Sequence, residues 1–278
     1  MDLVSRRTFL WGTGAFAAMM ARGEVPRPLA RFGVVTDCHY ADIAASENRD
    51  YRGAKARLQN VIAACERHQV DFVVELGDFK DNSGGAQATL SKLDEIESVF
   101  ASFSGGHYHV LGNHDVDCIN KTQFLSHITN TGFSTATAYY SFERGGVTFI
   151  VLDCDYASDS DADHLINGGI NWETLFIPPA ERTWLKSVLE AAEGPVVVFC
   201  HAPLDPVDTG HAVKNAAVVR ALLEASHKVT GVFCGHSHLN SRCSCNGINY
   251  YTLASQVESG CAYEVECYAQ GVAVARQG

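Results

Sequence analysis

The sequence lacks several features that would assign it at once to a common class of protein. Lys and Arg number 21 against 32 Asp and Glu, which leaves a formal net charge of -11. An acidic surface repels a phosphate backbone, so nucleic acid is not an expected partner. No strictly apolar run reaches the roughly 18 residues of a membrane-spanning helix, so stable membrane insertion is not expected either. Serine nucleophile elbows, phosphate-binding P-loops and dinucleotide glycine patterns are also absent.

Repeats and low-complexity linkers are missing as well, and no domain boundary is visible in the chain of 278 residues. The composition is 46% hydrophobic and 19% charged, which is typical of a globular protein with a full core. We therefore predict a single domain over residues 31–278.

The first 30 residues carry a different pattern. Arg6 and Arg7 in "SRRTFL" precede the short, small-residue apolar stretch "WGTGAFAAMMA". This order predicts a twin-arginine-type signal segment over residues 1–30, and hence export to the periplasm or the cell exterior. A basic amphipathic first helix is the alternative.

Ten cysteines are a high number for this length, and export would permit disulfides. Cys38, Cys200 and Cys234 adjoin apolar runs and are interpreted as buried core residues. Cys243 with Cys245, and Cys261 with Cys267, are the candidates for bridges. A zinc site at the first pair is the alternative, although no second cysteine pair lies nearby.

Short β-branched runs bounded by Gly or Asp predict buried strands. They alternate with helical patterns and are followed by two runs typical of antiparallel strands, which indicates a layered α/β fold. The predicted strands are Phe32–Asp37, Asp71–Asp78, His107–Asp115, Val147–Asp153, Pro195–His201, Val229–His238, Ile248–Ser255 and Ala262–Arg276. The helical patterns lie in residues 51–68, 90–103, 178–192 and 213–226.

Five of these strands end in residues that bind metals. Ligands of α/β sheets bind at the carboxyl ends of the strands, so these side chains are expected to meet at one edge. The seven candidate metal ligands are Asp37, His39, Asp78, Asn113, His201, His236 and His238.

Aspartate and imidazole without thiolate suit manganese, iron or zinc. Seven ligands are too many for one tetrahedral ion, so two ions with a bridging carboxylate are predicted. Two ions roughly 3.5–4 Å apart can clamp a phosphoryl group for in-line displacement.

In their order along the chain, "DCH", "GD", "GNHD", "FCHAPL" and "CGHSH" match the motif set D-x-H, GD, GNH(D/E), H and GHxH. The sequence thereby resembles the calcineurin-like metallophosphoesterases over roughly residues 31–255. The resemblance implies a four-layer α-β-β-α sandwich, in which helices flank two mixed sheets. It also implies a dinuclear-metal-dependent phosphoesterase that cleaves a phosphodiester, diphosphate or phosphomonoester through a metal-bridging hydroxide.

Carried over residue by residue, the resemblance assigns Asp37, His39 and His238 to one ion, and assigns Asn113, His201 and His236 to the other. Asp78 would bridge the two ions. His114 would meet the leaving-group oxygen or the charge that develops on phosphorus, and Asp115 would orient it.

One position departs from a known branch of this superfamily. Purple acid phosphatases carry a tyrosine three residues after the GD aspartate, where this chain has Asp81. A purple chromophore is therefore not expected. The stretches "INWETLFIPPAERTWLKSVL", "VVVFCHAPLDP" and "NGINYYTL" are more similar to bacterial exported members and to the manganese-dependent ADP-ribose/CDP-alcohol diphosphatase-like branch.

Tyr40, Lys80 and His211 lie close to the motifs and are candidates for contacts with a small phosphorylated substrate. Two alternatives to this esterase remain at this level, a nuclease of the same superfamily and a non-catalytic metal-binding scaffold. A non-catalytic scaffold would have lost metal ligands or His114, all of which are present here.

Overall fold

The computed structural model describes residues 9–10, 27–133, 137–161, 172–208 and 210–277. Most of the predicted signal segment lies outside these ranges. No helix among the described residues is both long and apolar enough to cross a membrane.

The described chain forms strands and helices in the alternation that the sequence predicts. Strands β1 to β12 span, in order, Phe9–Leu10, Ala30–Val35, Phe72–Glu75, Gly106–His109, Tyr140–Arg144, Val147–Val151, Val196–Phe199, Val229–Cys234, Ser241–Cys245, Ile248–Thr252, Ala262–Tyr268 and Gly271–Gln277. Helices α1 to α6 span Ala54–His68, Ala86–Phe100, Lys121–His127, Pro179–Ala191, Ala216–Ser226 and Gln256–Ser259. A 3-10 turn covers Asn113–Val116.

The strands form two mixed sheets. The first has the order β1-β12-β11-β2-β3-β4, and the second has the order β5-β6-β7-β8-β10-β9. Strands β2, β3 and β4 run parallel, as do β6, β7, β8 and β10. Each sheet therefore has a block of parallel strands whose carboxyl ends lie along one edge.

An aromatic core joins the faces of the two sheets. The Phe32 ring lies 5.0 Å from that of Phe72 in its own sheet, and 5.4 to 5.8 Å from those of Phe149, Phe199 and Phe233 in the other. Helices α1 to α3 pack on the outer face of the first sheet, and α4 and α5 on that of the second. The predicted four-layer α-β-β-α sandwich is confirmed.

The edge strands β5 and β9 were not predicted from the sequence, because their solvent-facing residues are polar. β5 continues into exposed Glu143 and Arg144, and most of β9 is exposed. The long final run predicted as one strand divides into β11 and β12, which pair as an antiparallel hairpin. Neither candidate cysteine bridge is formed, since all ten cysteines are free thiols.

Glycines allow the loops at the carboxyl edge to approach each other closely. A Cβ atom on Gly112 would lie 2.2 Å from the Asp78 nitrogen and 2.9 Å from the carbonyl carbon of Gly77. Gly77 itself has φ +95°, a conformation that L side chains rarely adopt. The loops after β3 and β4 are therefore in direct backbone contact.

We expect Gly112→Ala to lower the free energy of unfolding of the metal-free protein by about 1–3 kcal/mol, because backbone atoms cannot move away from the methyl group. Gly210→Ala is the control: its nearest neighbour would be Asp208 Oδ1 at 3.8 Å, and we expect a change within about 0.5 kcal/mol. Urea unfolding measures both, and equal stabilities of the two variants would contradict the close approach.

Candidate metal centre

The carboxyl edges of the two sheets bring all seven candidate ligands together. Loops after β2, β3 and β4 carry Asp37, His39, Asp78 and Asn113, whereas loops after β7 and β8 carry His201, His236 and His238. Hydrogen bonds join the two halves. His201 Nδ1 lies 2.9 Å from the Leu76 carbonyl oxygen, and the His236 amide donates to Asp37.

The first group of ligand atoms comes from Asp37, His39 and His238, which could hold one metal ion. His238 Nε2 lies 3.3 Å from Asp37 Oδ1 and 3.3 Å from His39 Nε2. Thr36 donates to the other oxygen of Asp37 at 2.6 Å. One carboxylate oxygen and two ring nitrogens therefore converge on a single point.

The second group comes from Asp78, His201 and His236. His201 Nε2 lies 3.2 Å from His236 Nδ1 and 3.1 Å from Asn113 Oδ1. Asp78 Oδ2 lies 3.3 Å from His201 Nε2 and 3.6 Å from His39 Nε2, so one oxygen atom faces both groups. Asp78 thus occupies the bridging position between them.

The donor atoms fit two metal ions. Ring nitrogens of two histidine pairs lie at about hydrogen-bond distance from each other, an arrangement that a cation between them would stabilise. His236 Nε2 is buried and has no hydrogen-bond partner. Burial and the charge of His201 lower the pKa of His236 to about 3, so its ring is a neutral donor. Carboxylate, imidazole and amide oxygen suit manganese, iron or zinc.

Outer residues orient the ligand rings through their second nitrogen. His238 Nδ1 lies 2.7 Å from Glu258 Oε1, and His39 Nδ1 lies 3.4 Å from Asp81 Oδ2. Together with the contact of His201 to the Leu76 carbonyl, these partners leave Nε2 of each ring facing the centre. Such pairing fixes the tautomer of a metal-binding histidine and raises its basicity.

The site also imposes an unusual backbone. Five of its residues other than glycine have positive φ angles between 47° and 68°, namely Asp37, His39, Asp78, His236 and His238. Each such residue costs of order 1 kcal/mol and persists only where its surroundings enforce it. The loops are therefore held in the geometry that makes these side chains converge.

His114 lies at the mouth of the site, and its partner is Asp81 rather than Asp115. Its Nδ1 lies 3.4 Å from Asp81 Oδ1 and 4.0 Å from Asp117 Oδ2. Burial opposes a charge on His114, but the carboxylates of Asp78 and Asp81 outweigh it and raise the pKa to about 9 in the metal-free protein. No motif in the sequence predicts this pairing.

Asp115 does not orient His114 as expected. Its carboxylate is fully buried and accepts hydrogen bonds from the backbone amides of Asp78, Phe79, Lys80 and Gly112. Burial and the charges of Glu75 and Asp78 raise its pKa to about 8. Asp115 thus fixes the loops after β3 and β4 against each other and does not contact the His114 ring.

Of the three candidate substrate contacts, only His211 lines the cleft. Lys80 is completely buried, and its ammonium group donates to the carbonyl of His114 and to Asp117. The Tyr40 hydroxyl donates to Glu95 at 2.8 Å, beside helix α2. Neither of these side chains lines the cleft, and each instead binds residues of a neighbouring loop or helix.

The cleft has a volume of about 480 Å³ and also contains residues that sequence reasoning missed. Arg49 lies beside Glu258, and the exposed Trp172 ring stacks on His211 at 5.5 Å. Their positions come from distant segments, and no motif marks them. The candidate ligands that line the same cleft, together with His114, are His39, Asp78, Asn113, His236 and His238.

Comparison with known proteins identifies relatives of this chain. The chain is 30% identical to the manganese-dependent ADP-ribose/CDP-alcohol diphosphatase of Arabidopsis thaliana, over 84% of this chain and 88% of that protein. It is 25% identical to the Danio rerio protein of the same name, over 84% and 89%.

Solved structures share the fold. A dimetal phosphatase from Danio rerio aligns with a TM-score of 0.75 at 22% identity, covering 90% of this chain and 96% of that one. A purple acid phosphatase from yellow lupin aligns with a TM-score of 0.60 at 12% identity, covering 91% of this chain and 52% of that one. The family model of the calcineurin-like phosphoesterases matches residues 30–240. The chain therefore belongs to the calcineurin-like phosphoesterase family and is a metal-dependent phosphoric ester hydrolase.

Proposed function

We propose that this enzyme hydrolyses a phosphodiester or diphosphate bond of a small substrate at a centre of two metal ions. The observation that carries the proposal is the position of Asp78: its Oδ2 faces two groups of donor atoms, and its Oδ1 accepts from the His114 amide. Two ions would supply Lewis-acid polarisation of the phosphoryl oxygens and a water of lowered pKa. The names of the plant and fish relatives support manganese.

The side chains would position the two ions and transfer one proton to the leaving group. Asp37, His39 and His238 would hold one ion, Asn113, His201 and His236 would hold the other, and Asp78 would bridge them. With His114 Nδ1 turned to Asp81, its Nε2 is left to donate a proton to the leaving-group oxygen. The Asp81 carboxylate would stabilise the imidazolium form before transfer.

The cleft supports a diester or diphosphate over a simple monoester. Arg49 is the only Lys or Arg among the described residues that line it, and it could neutralise a second phosphate group. Trp172 offers an exposed ring face to an apolar or aromatic part of the substrate. The names of the relatives, which describe diphosphatases, support the same class. A single cation gives little support to the nuclease alternative, which would require a basic stripe for the backbone.

Hydrolysis by the manganese-loaded protein tests the proposal. Substrates would be a phosphomonoester, an aryl phosphodiester, cyclic nucleotides and ADP-ribose. We expect turnover of a diester or diphosphate, with kcat lowered about 10²- to 10⁴-fold by His114→Ala because the proton donor is lost. Asp81→Asn should lower kcat about 10- to 100-fold.

The surface histidine His127, which pairs with Asp94, provides the matched control. His127→Ala should leave the rates unchanged. Absence of hydrolysis with two ions bound would remove the substrate class and favour the non-catalytic scaffold.

Manganese binding tests the bridge. We expect two ions per chain in the wild-type protein and at most one in Asp78→Ala, because both ions lose a shared ligand. Calorimetric titration after chelation gives the stoichiometry, with the exposed Asp94→Ala as control. An Asp78→Ala variant that keeps both ions at unchanged affinity would refute the bridging assignment.

We also propose that the enzyme is exported through a twin-arginine signal, on the strength of Arg6-Arg7 and the apolar stretch directly after them. Replacing both arginines by lysine should retain the precursor in the cytoplasm, as fractionation and immunoblotting would show. Unchanged export of this double variant would contradict the signal, and the wild-type precursor provides the reference.

A further inference from the structure

Three buried ionisable residues lie behind the metal centre and outside the cleft. Glu75 ends β3, His109 ends β4, and the two are direct neighbours in the parallel register. Glu97 reaches them from helix α2. His109 Nδ1 lies 3.2 Å from Glu75 Oε2, and its Nε2 lies 2.9 Å from Glu97 Oε2. We call Glu75, His109 and Glu97 the buried triad.

Each member of the buried triad is at most 7% exposed. Burial disfavours a charged imidazole, but Glu97 and Glu75 outweigh it and raise the pKa of His109 to about 10. His109 is therefore an imidazolium between two carboxylates. Replacing such a group by well-packed apolar residues is often neutral or stabilising, so stability alone is a weak reason for its presence.

One end of the triad holds the loop that carries the bridging residue. Glu75 Oε1 accepts the amide hydrogen of Gly77 at 2.5 Å. Gly77 packs against His201, since a Cβ atom on it would lie 2.6 Å from His201 Nδ1. The preceding Leu76 carbonyl contacts the same nitrogen, and Asp78 comes directly after Gly77. A single turn thus sets the positions of Asp78 and His201.

The other end is anchored in the packed scaffold. Glu97 Oε1 accepts hydrogen bonds from the amide and the hydroxyl of Thr129 at 2.9 and 2.7 Å. The His109 amide donates to Asn130 Oδ1 at 2.7 Å, and the Tyr140 hydroxyl donates to the His109 carbonyl at 2.8 Å. These bonds hold the backbone of His109 and the carboxylate of Glu97, so the two residues behind Glu75 are anchored.

We propose that the buried triad is a positioning element of the metal centre: through Glu75 it fixes the Gly77 amide, and thereby the placement of Asp78 and His201. The inference rests on the proposed dinuclear site. It assigns His109 and Glu75 an effect on metal binding although neither touches the cleft.

The decisive variant replaces the whole triad by apolar residues, as Glu75→Leu, His109→Leu and Glu97→Leu together. No buried charge is left unpaired, yet Gly77 loses its acceptor. Glu75→Met, which leaves His109 paired with Glu97, provides the same test if the triple variant does not fold. Tyr140→Phe is the matched control, because it removes a hydrogen bond to the same strand residue without affecting Glu75.

Two measurements apply to each folded variant. In the metal-free protein, the Gly77 amide proton should resonate far downfield in the wild type and in Tyr140→Phe, and should move upfield when the acceptor is lost. In manganese titrations followed by electron paramagnetic resonance, the exchange-coupled pair should need about 10- to 100-fold more manganese in the triad variants. Glu75→Gln, whose side-chain oxygen can still accept from the Gly77 amide, should restore both properties.

Wild-type Gly77 resonance and wild-type formation of the manganese pair in the triad variants would overturn the inference. If the wild-type protein bound fewer than two ions, the proposed function would fail instead. The Gly77 resonance of the metal-free protein would then still decide whether the triad fixes this turn.

Discussion

The structure depends on bringing together side chains that repel each other until a cation lies between them. His39 Nε2 and His238 Nε2 are 3.3 Å apart, and His201 Nε2 and His236 Nδ1 are 3.2 Å apart, with the carboxylate of Asp78 beside both pairs. Nothing in the local preferences of these residues favours that arrangement, and their backbone is strained as well. The surrounding fold must enforce it, and the sandwich does so from two sides.

Each sheet contributes a different part of that enforcement. The first sheet supplies rigid turns that the buried Asp115 fixes through four backbone amides. The Lys80 ammonium group also holds these turns, because it donates to the His114 carbonyl. The second supplies histidines whose rings are oriented by groups outside their own loop, such as the Leu76 carbonyl and Glu258. The aromatic core between the sheets keeps these two sets in register, so residues far from the cleft determine the distances within it.

The sequence predicted the layered fold and the convergence of the seven ligands because both depend on simple periodicity. Buried parallel strands are continuous apolar runs, and the residues directly after these runs must lie at one edge of the sheet. The polar edge strands β5 and β9 were not found, since their exposed residues hide the alternation. The pairing of His114 with Asp81 rather than Asp115 was not predictable, because the direction of a side chain in a turn depends on which neighbouring residues adopt the left-handed backbone conformation. Glu258 and Arg49 were missed because only tertiary structure brings them to the cleft.

The division of the ligands between two sheets has a consequence for how the protein acquires its ions. His39 and His238 belong to one ligand group but are separated by 199 positions in the chain. An unfolded or half-folded chain has no such group, so the ions bind the native state almost exclusively. At a thousand times its dissociation constant, each ion would add about 4 kcal/mol to the stability of the fold. Ion binding is then thermodynamically linked to folding, and the ion most abundant where the chain folds has the advantage over the ion with the highest intrinsic affinity.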